Sequence, residues 1–326
     1  AASDVYKRQG YAAPLRAAEL DQSVVLIEKD KLGGTCLHRG CIPTKALLHS
    51  AEVADSAKES ENFGVKATFE GIDMGAVHKY KDKVVDGLYK GLSGLVKSRK
   101  ITVVEGEGKL TGKDEVTVDG KVYKGKNVLL ATGSEPKTLG LEIDGEKVMT
   151  SDQALTMDRV PESAIVLGGG VIGVEFASVW RSYGADVTVV EALKHLVPVE
   201  EESSSKLLER AFRKRKIKSE LGKPFESVKT TDSGVVVTLE GGKTLEAEVL
   251  LVAIGRGPVS EGLGYEEQGV TLDRGFVQVD ENLHTGVGNI YAVGDLIPPL
   301  QLAHVGFAEG IFVAEHITGQ NPPAID

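Results

Sequence analysis

Short runs of β-branched and aliphatic residues recur along the chain and end near turn-forming residues. Near-continuous apolar runs of this kind are typical of strands in a sheet that is covered on both faces, and such sheets are mostly parallel. The pattern therefore predicts an α/β fold. The clearest runs are Ser23–Ile27, Asn127–Ala131, Ala164–Leu167, Val187–Val190, Glu248–Ala253 and Ile290–Val293.

Other stretches predict hairpins and helices. The dipeptides Asp119-Gly120 and Gly241-Gly242 each separate two alternating strands, so we expect an antiparallel hairpin at each. Residues 77–100 have apolar side chains at helical spacing, and we expect their lysines on the opposite, solvated face. The apolar positions of this helix are Val77, Tyr80, Val84, Leu88, Leu92 and Leu95.

Composition and charge narrow the classes of protein. The chain has 326 residues, which favours two domains, and its net charge of −10 makes nucleic acid an unexpected partner. We interpret the basic stretch 209–218 as a solvated helix end. No apolar run approaches the ~18 residues that a membrane span needs. Two cysteines are too few for a secreted disulfide framework, so we expect a cytoplasmic protein.

The chain contains an internal repeat. Gly10 is followed by a helix pattern, a strand and an acid at Glu28, and Gly173 is followed in the same way by Glu191. In both copies the acid lies eighteen positions after the glycine, which predicts two dinucleotide-binding units. In the first copy, residues 1–9 occupy the place of a strand and two glycines. We interpret this as a truncated or miscopied start that weakens cofactor binding.

The second copy is a complete dinucleotide-binding motif. Gly168, Gly170 and Gly173 follow a strand and precede a helix in G-x-G-x-x-G spacing. They permit the tight turn, the approach of a pyrophosphate and close packing of helix on strand, respectively. Glu191 can accept both ribose hydroxyls of an adenosine and would repel a 2′-phosphate. This half therefore predicts NAD rather than NADP.

Both cysteines lie in one window, GGTCLHRGCIPTK (33–45). Along a regular helix, Cα atoms five positions apart are too far apart for a disulfide. Cys36 and Cys41 can therefore form a disulfide only if the chain enters a helix through an irregular turn, which Gly33, Gly34 and Gly40 allow. A disulfide at a helix N-terminus is suited to redox chemistry, because the helix dipole stabilises a thiolate. Inert thiols or a metal site are the alternatives, although the spacing does not suit zinc.

Six motifs together give the chain a family resemblance. They are GGTCLHRGCIPTK (33–45), ATGS (131–134), GGGVIGVEF (168–176), AIGR (253–256), YAVGD (291–295) and LAHVGFAEG (302–310). In order and separation they resemble the motifs of the pyridine nucleotide–disulfide oxidoreductases. The resemblance implies two Rossmann-like domains, with the NAD domain (153–273) inserted in the FAD domain (1–152 and 274–326), and no metal.

The resemblance also implies a role for each motif residue. Cys36 would exchange with the substrate sulfur, Cys41 would lie against the flavin, and Lys45 would approach the flavin and pair with Glu175. The alternative for Glu175 is a solvated helix position. The FAD-binding residues would be Gly10, Glu28, Lys29, Gly34, Thr35, Lys45, Gly108, Thr132, Gly133, Ser134, Asp295, Ala303 and His304. The NAD-binding residues would be Gly168, Gly170, Val171, Ile172, Gly173, Glu191, Gly255 and Arg256.

Within the family, the residues of the cysteine motif (33–45) and Glu191 resemble those of enzymes that oxidise dihydrolipoamide. The substrate would be carried on a lipoyl domain of a 2-oxoacid dehydrogenase or glycine cleavage complex, and the parent protein would be a homodimer. In such enzymes the base is a histidine in a C-terminal interface domain of the other subunit. We expect that domain to be absent here, and the polypeptide alone to turn lipoamide over poorly or not at all.

Three other interpretations are open. Glutathione and trypanothione reductases share the cysteine window but need NADPH, which Glu191 disfavours. A mercuric reductase would share more of these motifs, but its additional cysteine pair would fall in regions that this sequence does not include. A nucleotide-binding fragment without catalytic activity would purify without flavin colour.

Overall fold

The computed structural model describes residues 11–325. The α-helices are α1 (Ala12–Glu19), α2 (Gly34–His38), α3 (Cys41–Lys58), α4 (Met74–Ser98), α5 (Ser151–Ala154), α6 (Val171–Tyr183), α7 (Glu202–Lys214) and α8 (Ala303–His316). Short 3₁₀ helices span Ser60–Phe63, Glu266–Gln268 and Gly294–Leu296.

The strands are short, as the apolar runs predict. They are β1 (Val25–Glu28), β2 (Thr102–Glu105), β3 (Lys109–Gly112), β4 (Glu115–Val118), β5 (Lys121–Lys124), β6 (Val128–Leu130), β7 (Ser134–Pro136), β8 (Val148–Met149), β9 (Ser163–Leu167), β10 (Asp186–Glu191), β11 (Lys218–Leu221), β12 (Phe225–Thr231), β13 (Gly234–Leu239), β14 (Thr244–Ala247), β15 (Val249–Val252), β16 (Arg256–Pro258), β17 (Leu272–Asp273), β18 (Phe276–Val277) and β19 (Ile290–Ala292).

The chain divides into two compact units. Unit 1 contains the residues up to His38, Val85–Glu135 and the residues from Gly257 onward, and unit 2 contains Arg39–Val84 and Pro136–Arg256. The predicted domain limits of 1–152, 153–273 and 274–326 stay a prediction.

Unit 2 is built on a parallel sheet of five strands in the order β11-β10-β9-β15-β8. The central strands β9 and β15 are almost wholly buried, which explains why they read as continuous apolar runs. Helix α6 follows β9 and buries Phe176 and Trp180 in a core that also contains Leu47 of α3. A three-stranded antiparallel sheet, β12-β13-β14, completes this unit.

Unit 1 contains two parallel strand pairs, β1 with β2 and β6 with β19. It also contains the antiparallel sheet β3-β4-β5 and the hairpin β17-β18. Its largest core buries Ile290, Leu296 and Phe312, so α8 packs over the end of strand β19. Every strand predicted from an apolar run is present, and each one pairs in parallel, which confirms that prediction.

Both predicted hairpins are confirmed. Strands β4 and β5 pair antiparallel around Asp119-Gly120, and β13 and β14 around Gly241-Gly242. The two central residues of each turn have positive φ (47° and 79°, and 87° and 80°). Asp-Gly and Gly-Gly tolerate that left-handed conformation, which matches the twist of the strands they join.

The helix predicted over 77–100 is α4, and its buried face agrees with the predicted one at Val77 and Leu92 but not throughout. Lys81 is buried and donates from its Nζ to the carbonyl oxygen of Leu155 at 2.8 Å. Tyr80 and Leu95 are exposed. The buried stripe follows Val77, Lys81, Leu92 and Val96, because a lysine can bury its aliphatic stem when its amine reaches an acceptor.

The prediction of a solvated helix end at 209–218 is wrong for part of that stretch. Glu209 at the side of α7 is buried, and its Oε1 lies 3.1 Å from Nδ1 of His195. Phe212 and Ile217 are also buried in the core of unit 2. Arg210, Arg213, Lys214, Lys216 and Lys218 are exposed and agree with the expected solvated face, whereas Arg215 is half-buried and pairs with Asp55.

Two further findings concern the N-terminal region and the helices in general. Gly10 and residues 1–9, which we interpret from the sequence as a truncated or miscopied start, lie outside the described residues. Pro14 is the third residue of α1 and therefore stands in its first turn, where proline costs no helix hydrogen bond.

Among residues 11–325, no helix is both long enough and apolar enough to cross a membrane.

Candidate redox and nucleotide-binding sites

Cys36 and Cys41 are joined by a disulfide. Helix α2 ends at His38, Gly40 adopts φ −147° and ψ −114°, and α3 begins at Cys41. This break between two helices is the irregular entry that a disulfide across five positions requires. Cys36 is buried and Cys41 is exposed. Gly40 provides no side-chain cap at the N-terminus of α3, and the dipole of this helix favours a thiolate at Cys41.

Lys45, on the next turn of α3, forms an ion pair with Glu175 of α6. The Lys45 Nζ–Glu175 Oε1 distance is 2.5 Å, and the side chains are 61% and 24% exposed. Glu175 is therefore half-buried and paired, unlike the solvated position that was its alternative. An exposed lysine held by a half-buried carboxylate adds little to stability, but it fixes one positive charge in place near Cys41.

Polar contacts hold α3 against α6 along the rest of its length. Ser182 of α6 donates from Oγ to Asp55 of α3 at 2.6 Å, and Arg215 reaches the same carboxylate at 3.1 Å. Nearer the cysteine end, the hydroxyl of Tyr183 donates to the carbonyl oxygen of Leu47 at 3.3 Å. The helix that carries Cys41 is therefore fixed to the helix that follows the glycine motif.

The glycine motif between β9 and α6 has the geometry of a phosphate-binding turn. Gly168 has φ +108°, and a Cβ there would lie 2.3 Å from the carbonyl oxygen of Ala253. A Cβ on Gly173 would lie 2.0 Å from the carbonyl oxygen of Gly168. Gly170 is the N-cap of α6, has no side-chain cap, and would meet no atom within 4 Å with an added Cβ. The first and third glycines are thus needed for packing, while the second leaves the helix N-terminus open to an anion.

Glu191 is held at the edge of this turn by two backbone amides. Its carboxylate accepts hydrogen bonds from the N–H of Gly169 at 2.7 Å and of Leu193 at 2.8 Å. Val171 and Ile172 occupy the first turn of α6, with Val171 exposed. The AIGR segment (253–256) lies beside the turn, because the carbonyl oxygen of Ala253 occupies the space that a Cβ on Gly168 would need. The segment follows β15, so Gly255 and Arg256 lie at the same end of that strand.

The acid of the first copy occupies an equivalent position. Glu28 ends β1 and accepts from the N–H of Asp30 at 2.9 Å, two residues on, as Glu191 does from Leu193. Burial raises the pKa of the Glu28 carboxyl, and the amide of Asp30 partly offsets that increase. The repeat found in the sequence is therefore also a repeat of local structure. Lys29, by contrast, pairs at the surface with Glu107 at 3.3 Å.

In unit 1, the ATGS and YAVGD motifs come together because β6 and β19 are neighbouring parallel strands. Ser134 donates from Oγ to Oδ2 of Asp295 at 2.5 Å, and both residues are buried. Thr132 donates to the carbonyl oxygen of Val259 at 2.5 Å, and Gly133 has φ +74°. The structure thus groups four of the residues predicted to bind FAD at the carboxyl ends of two strands, where α/β sheets bind their ligands.

The other predicted FAD residues are more dispersed. Gly34 and Thr35 open helix α2, with Gly34 at φ +64°. A Cβ on Gly108 would lie 3.2 Å from the side chain of Ile27, so this glycine packs against strand β1. Ala303 and His304 are the first two residues of α8, and His304 is exposed. The roles of all these residues stay predictions.

Two buried residues of unit 1, Tyr265 and Glu309, have polar groups near the predicted FAD-binding residues but were not predicted from the sequence. Tyr265 lies 3.2 Å from the hydroxyl of Thr132, and burial raises the pKa of its phenol to about 12, so it is a neutral hydrogen-bonding group. Glu309 accepts from the N–H of Gly294 at 2.6 Å. The one signal for Glu309 in the sequence is an acid between the apolar residues of the helix, with Gly306 before it and Phe312 and Val313 after it. In residues 11–325, no group of three or more His, Cys, Asp or Glu side chains is arranged to hold a metal ion.

The residues of unit 2 fit NAD. An uncapped helix N-terminus, an open position at Gly170 and an oriented carboxylate at Glu191 are the three features that an adenosine diphosphate moiety needs. For FAD, the described part of unit 1 supplies the equivalent acid, Glu28, and the paired ATGS and YAVGD turns. Gly10, the one motif glycine that this copy has in the sequence, lies outside the described residues.

Comparison with known proteins gives consistent results. Residues 10–310 match the family model described as pyridine nucleotide-disulphide oxidoreductase. A dihydrolipoyl dehydrogenase of Bacillus subtilis is 41% identical over 97% of this chain and 71% of its own length. The mitochondrial dihydrolipoyl dehydrogenase of Pisum sativum is 40% identical over 95% of this chain and 65% of its own length. The crystal structure of LpdA from Mycobacterium tuberculosis superposes with a TM-score of 0.89 at 29% identity, covering 97% of this chain and 72% of that one.

These findings confirm the predicted α/β fold class and the predicted enzyme class. They also confirm the predicted cofactors, FAD and NAD, which this family uses. The chain belongs to the pyridine nucleotide-disulphide oxidoreductases.

Proposed function

We propose that this chain carries the redox disulfide and the cofactor-binding parts of a dihydrolipoyl dehydrogenase, which oxidises dihydrolipoamide to lipoamide and reduces NAD. The observation that carries the proposal is the Cys36–Cys41 disulfide at the start of α3. In this proposal residues 1–152 and 274–326 hold FAD, and residues 153–273 hold NAD. FAD, when bound, supplies the electron carrier between the dithiol and NAD.

The disulfide chemistry follows from two sulfur atoms in different surroundings. A thiolate of dihydrolipoamide attacks Sγ of Cys36, the Cys36–Cys41 bond breaks, and Cys41 leaves as a thiolate that the N-terminus of α3 stabilises. The second substrate thiolate then attacks its own neighbouring sulfur in the mixed disulfide. Lipoamide is released with its ring disulfide closed, Cys36 becomes a thiolate, and the two substrate protons pass to a base.

Lys45 and Glu175 would hold a positive charge next to the Cys41 end of α3. The half-buried carboxylate orients the amine at 2.5 Å, so the charge needs no reorganisation when negative charge develops nearby. This role is part of the proposal, as are the roles given to the other predicted cofactor-binding residues.

The partners also belong to the proposal. The substrate would be dihydrolipoamide on a lipoyl carrier domain of a 2-oxoacid dehydrogenase or glycine cleavage complex. The parent protein would be a homodimer that supplies the base from its partner subunit. A cytoplasmic location agrees with thiols that must cycle between reduced and oxidised forms.

One assay tests the proposal as a whole. The 326-residue chain, supplied with FAD, is mixed with dihydrolipoamide and NAD at a pH of about 9, where the substrate thiols ionise without help from a protein base. The proposal predicts flavin retained on the protein through gel filtration and NADH formed from dihydrolipoamide. Protein that binds no flavin, or flavoprotein whose disulfide the dithiol does not reduce, would overturn it.

Glu191 is expected to set the preference for NAD over NADP. In Glu191→Gln the side chain keeps an acceptor for one of the two backbone amides and loses the charge that repels a 2′-phosphate. We expect NADP to bind more tightly and NAD to change little, so that the preference falls about tenfold, as removal of roughly 1.4 kcal/mol of discrimination implies. Binding of both nucleotides is measured by isothermal titration calorimetry.

The control for this variant is Glu220→Gln on the neighbouring strand β11. Glu220 pairs with Lys243 at 2.6 Å and has no place in the glycine turn. We expect it to leave both affinities unchanged. Equal affinity of the unmodified protein for NAD and NADP would contradict the assignment of Glu191.

A further inference from the structure

Helix α8 carries a buried acid that the redox chemistry does not use. Glu309 is 7% exposed, and its neighbours on the same helix, Gly306, Gly310, Phe312 and Val313, are buried small or apolar residues. A buried carboxyl group is costly unless a specific contact offsets the loss of water. Its hydrogen bond is the one from the N–H of Gly294, at 2.6 Å.

The helix holds Glu309 in a fixed position. A Cβ on the adjacent Gly310 would lie 3.1 Å from the backbone nitrogen of Ala13, so α8 and α1 are in close contact there. Further along, Arg16 of α1 forms an ion pair with Glu315 of α8 at 2.7 Å. Helix α8 is thus anchored on one side to α1, while Glu309 projects toward the turn that begins at Gly294.

That turn presents Asp295. Gly294 has φ +75° and begins the 3₁₀ helix Gly294–Leu296. Asp295 is 4% exposed and accepts the hydrogen bond of Ser134. The contacts therefore run from Glu309 to the Gly294 amide, through one peptide to Asp295, and on to Ser134 of the ATGS motif.

The charges make this arrangement unfavourable for stability alone. Burial raises the pKa of the Glu309 carboxyl, the Gly294 amide lowers it, and the nearby Asp295 raises it further. Replacing a buried ionisable group by an apolar one of similar volume is often neutral or stabilising. An acid at this position is explained by its contact with the turn rather than by a contribution to the core.

We propose that Glu309 is a positioning residue, which fixes the Gly294–Asp295 turn in the geometry that binds FAD. The inference rests on the proposed function, because it takes Asp295 as an FAD-binding residue. Without the Glu309 acceptor, the Gly294 amide is free to rotate, and the turn samples conformations in which Asp295 no longer faces the cofactor.

The test compares FAD affinity with the stability of the FAD-free chain in three variants. Glu309→Leu removes the acceptor but fills the same space, Glu309→Gln retains an acceptor, and Glu315→Gln alters an acid of the same helix that touches α1 instead. FAD binding is followed by quenching of flavin fluorescence, and stability by urea unfolding. We expect the leucine variant to bind FAD about tenfold more weakly, because it lacks one buried hydrogen bond to the turn. Its stability should not fall, because the cost of burying a carboxyl group is also removed. The glutamine variant should recover binding to within about threefold, and Glu315→Gln should bind FAD normally.

The outcomes separate this inference from the proposed function. If the unmodified chain binds no FAD, the proposed function itself fails. If it binds FAD and the leucine variant binds equally well, or if the glutamine variant does not recover binding, the positioning role is wrong. Loss of affinity in step with loss of stability would also overturn it. Should the leucine variant not fold, Glu309→Ala takes its place in the same comparison.

Discussion

Replacing Cys41 by serine is expected to abolish the reduction of NAD by dihydrolipoamide, by more than about a thousandfold. The exchange requires a sulfur–sulfur bond to break, and serine cannot form one with Cys36. The same change should cost little stability. A disulfide that closes so short a loop constrains the unfolded chain only slightly, so we expect the free energy of unfolding to fall by less than about 2 kcal/mol.

The measurement follows the reduction of NAD by dihydrolipoamide in a single turnover under anaerobic conditions. Urea unfolding is measured on the same preparations. FAD content should be equal in the variant and the unmodified protein. This distinguishes loss of the redox step from loss of the fold. Reduction of NAD that persists in the serine variant would remove the disulfide from the reaction. A stability loss much larger than expected would assign the disulfide a structural role instead.

Replacing Gly173 by alanine is expected to prevent NAD binding and to destabilise unit 2. The new Cβ would lie 2.0 Å from the carbonyl oxygen of Gly168, which belongs to the backbone and cannot turn aside. Helix α6 must then move away from the glycine turn that precedes it. We expect the free energy of unfolding to fall by about 3 kcal/mol and the affinity for NAD to fall by more than about a hundredfold. Urea unfolding and calorimetric titration with NAD measure the two effects.

Gly170→Ala is the matched control within the same motif. A Cβ there would meet no atom of the protein within 4 Å, and the backbone has an ordinary φ of −72°. It would, however, occupy the space that a pyrophosphate approaches. We expect NAD binding to be lost in this variant while stability falls by less than about 1 kcal/mol. Equal effects of the two substitutions on stability would contradict the separate functions given to the two glycines.

The sequence predicted those features that depend on residues near one another in the chain. Apolar runs marked the parallel strands, and Asp119-Gly120 and Gly241-Gly242 marked hairpins because their turns require positive φ. The glycine spacing located the turn between β9 and α6. The break at Gly40 was predictable because two cysteines five positions apart cannot be bridged along a continuous helix.

The features it did not predict depend on contacts between distant segments. Lys81 is buried because the carbonyl oxygen of Leu155, which is remote in sequence, lies within reach of its amine. Glu209 is buried because it meets His195 and the backbone of Leu196. Glu309 is buried because α8 packs beside the Gly294 turn. In each case a charged residue is expected in solvent from its residue type, and only the partner explains its burial.

The most direct test of the account is an anaerobic reductive titration of the FAD-loaded chain, which counts the electrons taken up per flavin. A disulfide that exchanges electrons with the flavin predicts two electron pairs per FAD, one for Cys36–Cys41 and one for the flavin, with two free thiols in the reduced protein. The Cys41→Ser variant should take up one pair. Uptake of a single pair by the unmodified protein, with the disulfide left intact, would contradict the central claim.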